Sequence, residues 1–124
     1  MKIETELMRG AGPLAVLKLL ESGERYGYEL VQALAKESGG VLAMGQSTLY
    51  PMLYNLEAKK LVTARIDKAG SRPRKYYRLT PKGMKKLQKD SKQWQAMLEA
   101  MKNLGVLVTD RNDGLPGKAM EGVR

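Results

Sequence analysis

Gln46, Ser47 and Thr48 stand together where a helix is expected to begin, and Arg72-Pro73-Arg74-Lys75 stand where a hairpin is expected to turn. The first group suits the reading of base edges. A glutamine amide pairs with adenine through two hydrogen bonds, and a serine or threonine hydroxyl serves either kind of base. The second group suits phosphate or a narrow groove, with two guanidinium groups flanking a proline that stiffens the turn. Covalent chemistry finds far less support. A nucleophilic Ser47 or Thr48 needs a neighbouring base, and the 124 residues include no histidine and no cysteine. Those absences remove thiol catalysis, disulfides, imidazole acid–base chemistry and Cys/His zinc sites together. A Ser-Lys pair is conceivable, but no constellation in the chain sets one up. The 13 acidic residues never gather into a cluster that would hold a metal. No enzymatic activity, metal or cofactor is expected.

The charge distribution narrows the partner. The net charge of +9 is carried by one block, residues 56–90, in which Lys59, Lys60, Arg65, Lys68, Arg72, Arg74, Lys75, Arg78, Lys82, Lys85, Lys86 and Lys89 face only three acidic residues. A solvated helix face usually mixes both signs, and part of the block (Lys82, Lys85, Lys86, Lys89) has that simpler reading. As a whole it has the character of a phosphate-binding surface, where cations gain affinity by releasing condensed counterions. A bilayer span takes about 20 apolar residues. The best candidate, Pro13 to Leu20, is broken by Lys18 and follows Glu4 and Glu6, the wrong sign for a signal peptide. No membrane partner and a cytoplasmic location are expected.

The elements that must position these residues are legible from periodicity. A first helix is expected over about Glu6–Glu21, with Pro13 as an irregularity, and a second over about Tyr26–Glu37, ended by Ser38-Gly39-Gly40. A third begins near Gly45–Ser47 and buries Leu49, Met52 or Leu53, and Leu56; Pro51 is tolerable about a turn from its start. After Leu61 the period falls to two. Val62, Ala64 and Ile66 alternate with polar residues, and Lys75–Leu79 forms a second strand with Tyr77 and Leu79 on one face. Thr80-Pro81 then caps a last helix that runs to Leu104, with Gly105 closing it. At 1.5 Å per residue it is a rod of roughly 36 Å. Met84, Leu87, Ser91, Trp94, Leu98, Met101 and Gly105 recur along it at alternating spacings of three and four, a heptad seam for a second copy. The expected fold is mainly α with a small β-hairpin: a winged helix-turn-helix over 1–80, a dimerisation helix over 81–105 and a flexible tail over 106–124.

Three strings in this order resemble the PadR family of bacterial transcriptional regulators: Tyr26-Gly27-Tyr28-Glu29, then Ser47-Thr48-Leu49-Tyr50-Pro51-Met52-Leu53-Tyr54-Asn55-Leu56-Glu57, then Arg74-Lys75-Tyr76-Tyr77-Arg78-Leu79-Thr80-Pro81-Lys82-Gly83. The resemblance covers about residues 5–105, and the single C-terminal helix is similar to the family's smaller subgroup. It implies a dimeric winged helix that represses genes until an effector loosens it. Arg25 and Gly45 depart from the family's usual residues, which alters local contacts and capping but not the fold.

Double-stranded DNA and a second copy of the chain are therefore the expected partners. The contact residues are Gln46, Ser47 and Thr48 for bases, Arg72, Arg74 and Lys75 for the wing, and Tyr26, Tyr28, Tyr50 and Tyr54 for phosphates or bases. Tyr77 is expected in the core. Met84, Leu87, Trp94, Leu98 and Met101 are assigned to the dimer seam. The lone tryptophan, mid-seam among Met97, Leu98 and Met101, also suggests a slot for an apolar, planar effector, against the plainer reading of dimer core. Two other functions fit the charge: a basic RNA- or ribosome-binding protein, and an adaptor that uses the winged face for protein contacts. The first needs neither the heptad seam nor a polar helix ahead of a hairpin, and RNA readers usually expose stacking aromatics on a sheet. The second should bind promoter DNA no better than random DNA.

Overall fold

A computed structural model of the chain describes residues 1–108. Helix α1 spans Thr5–Glu21, strand β1 Arg25–Tyr26, helix α2 Gly27–Glu37, helix α3 Gln46–Ala58, strands β2 Val62–Asp67 and β3 Arg74–Leu79, and helix α4 Pro81–Leu104. The fold is the expected one, a winged helix followed by a long helix. The chain falls into two compact units, one over Met1–Lys89 and one from Asp90 onward. The expected tail lies, from residue 109, outside the described residues. No described helix is long and apolar enough to cross a membrane.

Each helix of the first unit is amphipathic and turns its apolar stripe inward. Val16, Leu17 and Leu20 of α1, Leu30 and Leu34 of α2, and Leu49, Leu53 and Leu56 of α3 form one core with Val62 and Tyr77 of the sheet. Pro13 does not interrupt α1, and Pro51 does not interrupt α3. Each gives up one backbone donor. Glycine ends α2: Gly39 and Gly40 adopt left-handed φ angles of 65° and 86°, and the Gly40 N–H bonds the Ala35 carbonyl at 2.8 Å. The same closure ends α3 without glycine. Lys60 takes φ 64°, and the Leu61 N–H reaches back to the Leu56 carbonyl at 2.9 Å. Leu56 and Leu61 are both buried, which adds the apolar contact that accompanies this closure.

The structure corrects the hairpin. The wing is a three-stranded antiparallel sheet in the order β1-β3-β2, with Tyr26 opposite Tyr76 and the β2–β3 register running from Val62–Leu79 to Asp67–Arg74. A two-residue strand carries no periodicity, so only its pairing with β3 reveals it. Tyr26 is accordingly the cap of α2 rather than its first turn, and its N–H donates to Glu29 at 3.0 Å.

Helix α4 starts as expected. The Thr80 hydroxyl accepts the Gly83 N–H at 2.9 Å, and Pro81 occupies the first helical position. Gly83 lies flat on the Leu61 carbonyl, where an added Cβ would fall far inside contact distance of the oxygen. That contact turns the next positions inward as well. Leu87 is buried, and Met84 packs on the same core. The first two positions assigned to the dimer seam are thus filled by the chain's own winged helix. A repeat of three and four cannot distinguish a helix's own core from a partner's.

Replacing Gly83 by alanine should therefore destabilise the protein by about 1–3 kcal/mol, because backbone rather than a mobile side chain must move. Gly10, inside α1 with nothing near its missing Cβ, should show the opposite sign, gaining up to about 1 kcal/mol as alanine. Urea denaturation of the two variants against the parent checks both.

Candidate nucleic-acid interface

Leu49, Leu53 and Leu56 hold α3 to the core, so its other face must be open. That face carries Gln46, Ser47, Tyr50 and Tyr54, all exposed, with Thr48 exposed beside them. Tyr54 is 72% exposed. The cap residue Gly45 has no side chain to offer, although its carbonyl accepts the N–H groups of Thr48 and Leu49 at 3.1 and 3.0 Å. The first N–H groups of α3 therefore have no side-chain cap, and the positive end of the helix dipole faces outward. Tyr50 has a second role. Its ring lies on the backbone of Gly27, so closely that a Cβ there would come within 2.9 Å of its hydroxyl, and it thereby seats α3 on the start of α2. Tyr28, in the first turn of α2, is exposed.

The wing has two unlike faces, because successive strand residues point to opposite sides. Tyr77 points inward and is buried, which pushes its phenol pKa up. Arg74 and Tyr76 lie on the outer face in a continuous stack. The Arg74 guanidinium sits 4.5 Å from the centre of the Tyr26 ring. Tyr26 meets Tyr76 edge to face at 5.5 Å, and Arg65 covers the Tyr76 ring at 4.7 Å. Arg65 in turn bonds both carboxylate oxygens of Glu24, its Nε at 3.1 Å. That fork holds the Glu24 carboxyl below its ordinary pKa and raises Arg65. At the wing tip Asp67 accepts the Ala69 N–H at 2.9 Å, and Arg72 stands exposed. Lys75, on the inner side, is bound to Glu57 of α3 at 3.2 Å, which raises its pKa.

The expected contact residues thus divide. Gln46, Ser47, Tyr50 and Tyr54 come together on one open helix face with Thr48 exposed beside it, and Arg72 is open at the tip. Tyr26, Arg74 and Lys75 are engaged by their own chain. Sequence reasoning did not find Glu24, Glu57, Arg65 or Tyr76 as partners in the wing. The strand alternation that places Tyr76 opposite Arg65 was the available signal; the carboxylates come from α3 and from the turn before β1 and carry none.

In the second unit Trp94 and Met101 are half-buried, whereas Met97 and Leu98 are 42% and 46% exposed. A groove of about 850 Å³ lies in the first unit, lined by Met1, Met8, Met44, Thr48 and Met52 among others, and not by the residues expected to hold an effector.

Known proteins share both the sequence and this architecture. An uncharacterised protein of Lysinibacillus sphaericus is 30% identical over 98 residues, 78% of this chain and 90% of that protein. The crystal structure of a PadR family transcriptional regulator from Eggerthella lenta superposes with a TM-score of 0.71 at 37% identity, over 80% of this chain and 85% of that one. Bacillus subtilis PadR, solved in complex with operator DNA, is 31% identical with a TM-score of 0.58, over 62% of this chain. This chain spans 44% of that longer protein. The family model described as the transcriptional regulator PadR-like family matches residues 16–89, from the buried half of α1 to the first turns of α4. With its motifs, its wing and that match in agreement, the chain belongs to the PadR-like family of transcriptional regulators.

Proposed function

We propose that the protein is a homodimeric, sequence-specific regulator that binds duplex DNA in the cytoplasm and represses transcription until an apolar small molecule relieves it. The observation that carries this reading is the open face of α3. It joins an uncapped, positively polarised helix start to Gln46, Ser47 and Thr48, in the same unit as an exposed basic wing tip. Helix and wing divide the work. The helix start reads bases in the major groove, while Arg72 and Arg74 grip the flanking backbone or minor groove. Tyr28, Tyr50 and Tyr54 lend hydroxyls to phosphates. The relative solved with operator DNA supports the same use of the winged helix.

The second half of α4 supplies the dimer. Trp94, Leu98 and Met101, beyond the winged helix and with Leu98 nearly half-exposed, are the part of the heptad seam left for another copy. Trp94, half-buried on that seam, is the residue we assign to the effector, together with Met97, Leu98 and Met101. A planar apolar compound between two seams would alter their separation. Linkage then requires that DNA weaken the compound by the same factor that the compound weakens DNA.

Selection from random duplexes should return a pseudo-palindrome with half-sites about one helical turn apart, roughly 34–36 Å. A best site without a dyad overturns the symmetric reading. In the same assay, exchanging Gln46 or Thr48 for alanine should relax base preference and leave the salt dependence unchanged. Exchanging Arg72, Arg74 and Lys75 should flatten the plot of log affinity against log salt by about 0.9 for each phosphate that is no longer neutralised.

Leu98→Asp should yield a monomer in light scattering at micromolar concentration, since a carboxylate buried without a partner is costly. A stable dimer in that variant excludes the seam. Titrating aromatic cations and phenolic acids should quench Trp94 fluorescence, and operator should weaken the quenching. No quenching by either class leaves Trp94 as dimer packing.

A further inference from the structure

Tyr26 belongs to two structures at once. Its backbone caps α2, with the N–H held by Glu29 at 3.0 Å, and it is the β1 residue paired with Tyr76 of the wing. Its half-buried ring carries the Arg74 guanidinium at 4.5 Å and meets the Tyr76 ring at 5.5 Å. A guanidinium lying on a ring uses its flat face and keeps its N–H donors in its own plane. One of them is directed to the Tyr76 hydroxyl, which raises the Arg74 pKa, and the others stay available to a further acceptor. Arg74 is exposed. An unsupported arginine at that position would have to lose its rotamer freedom at the moment a phosphate was bound.

We propose that Tyr26 is a positioning residue for DNA binding: its ring face holds Arg74 oriented for a backbone phosphate, with Tyr76 packed edge to face against that ring. The role differs from direct contact through the Tyr26 hydroxyl, because it needs only the ring. It also ties the wing to the start of α2, on which Tyr50 seats α3, since a wing that shifted relative to that start would break the stack. The proposal rests on the reading of the wing as a phosphate-binding element.

The test uses the full chain and a mixed-sequence DNA duplex, titrated by fluorescence anisotropy across a range of salt. Arg74→Ala should reduce the salt slope by about 0.9, the value for one phosphate contact. Tyr26→Leu, which removes the ring, should reproduce most of that reduction. Tyr26→Phe, which removes only the hydroxyl, should keep the parent slope and an affinity within about twofold. The double variant Tyr26→Leu/Arg74→Ala should bind no more weakly than Arg74→Ala, as expected of residues acting as one unit. In the free protein, the δ-methylene protons of Arg74 should resonate upfield through the ring current in the parent and in Tyr26→Phe, and at ordinary positions in Tyr26→Leu.

Weaker binding by Tyr26→Phe with the upfield shift intact makes the hydroxyl a direct contact and overturns the proposal. A reduced slope in Arg74→Ala beside an unchanged slope in Tyr26→Leu shows that Arg74 needs no platform, and overturns it while leaving the wing on the DNA. An unchanged slope in Arg74→Ala overturns the reading of the wing itself, and the proposal with it. Should Tyr26→Leu fail to fold, the Phe variant and the proton shift decide: a parent-like Tyr26→Phe with a shifted Arg74 supports the platform, and an unshifted Arg74 in the parent removes it.

Discussion

The carbonyl of Leu61 is the point through which α3, the wing and the long helix α4 are joined. It accepts the Thr80 N–H at 3.2 Å and the Thr80 hydroxyl at 3.0 Å, and the backbone of Gly83 rests directly on it. The same residue's N–H closes the end of α3 on Leu56. One buried residue thereby sets where α3 stops, where β2 departs and where α4 begins. Lys60 has to turn left-handed for this to happen, at a backbone cost of roughly 1–2 kcal/mol for a residue with a Cβ. The surrounding bonds hold it there, among them the single Thr80 hydroxyl proton, which is shared between the Lys60 carbonyl at 2.8 Å and that of Leu61 at 3.0 Å. The string Leu79-Thr80-Pro81-Lys82-Gly83 thus has a local rationale: a hydroxyl that can cap a helix and bond the preceding junction, a proline preset for the first turn, and a residue without a Cβ where two backbones touch.

From that junction the two faces of the sheet acquire opposite characters. Alternation along β3 sends Tyr77 into the core and Tyr76 outward. A phenylalanine would serve the inner position on area alone. Tyrosine is the more useful choice on a surface, where a ring must lie among cations with its hydroxyl in water. Stacking on the outer face does for the wing what apolar packing does for the helices. It orders long cationic side chains with little apolar area, and it does so without neutralising them.

Much of the fold was open to reading because its signals are local. The period of three to four along α3, the alternation in β2 and β3, and Thr80-Pro81 each report the structure of the segment that contains them. What the sequence did not reveal depends on pairing across distance. Strand β1 is two residues long and exists because β3 is beside it. Leu87 reads as part of a seam until Gly83 is seen against Leu61, and it then belongs to the winged helix's own core. At the site, Gln46, Ser47, Tyr50 and Tyr54 were recognisable as one face because helical spacing alone puts them there, and Thr48 joins them through its place in the exposed first turn. The engagement of Lys75 by Glu57, and of Arg74 by Tyr26, was not, since eighteen residues separate the first pair and the second crosses from β1 to β3.

These internal engagements bear on how the basic block would meet DNA in the proposed function. Twelve cations in residues 56–90 would suggest a very steep salt dependence if each met a phosphate. Arg65 is forked onto Glu24, Lys75 is bonded to Glu57, and Lys82 donates to the Lys59 carbonyl at 3.1 Å. Partly exposed pairs of this kind contribute only about 0–1 kcal/mol, so a phosphate could displace any one of them. Displacement would leave the freed carboxylate beside the DNA backbone, however, and like charges at close range oppose the exchange. The carboxylates therefore narrow the set of cations that favour phosphate over their own partners. Arg72 and Arg74 remain the wing's best placed, one open at the tip and the other held on a ring that carries no charge. A neutral platform steadies a cation without competing for it, and that is the physical advantage of tyrosine over glutamate beside an arginine proposed to meet a phosphate.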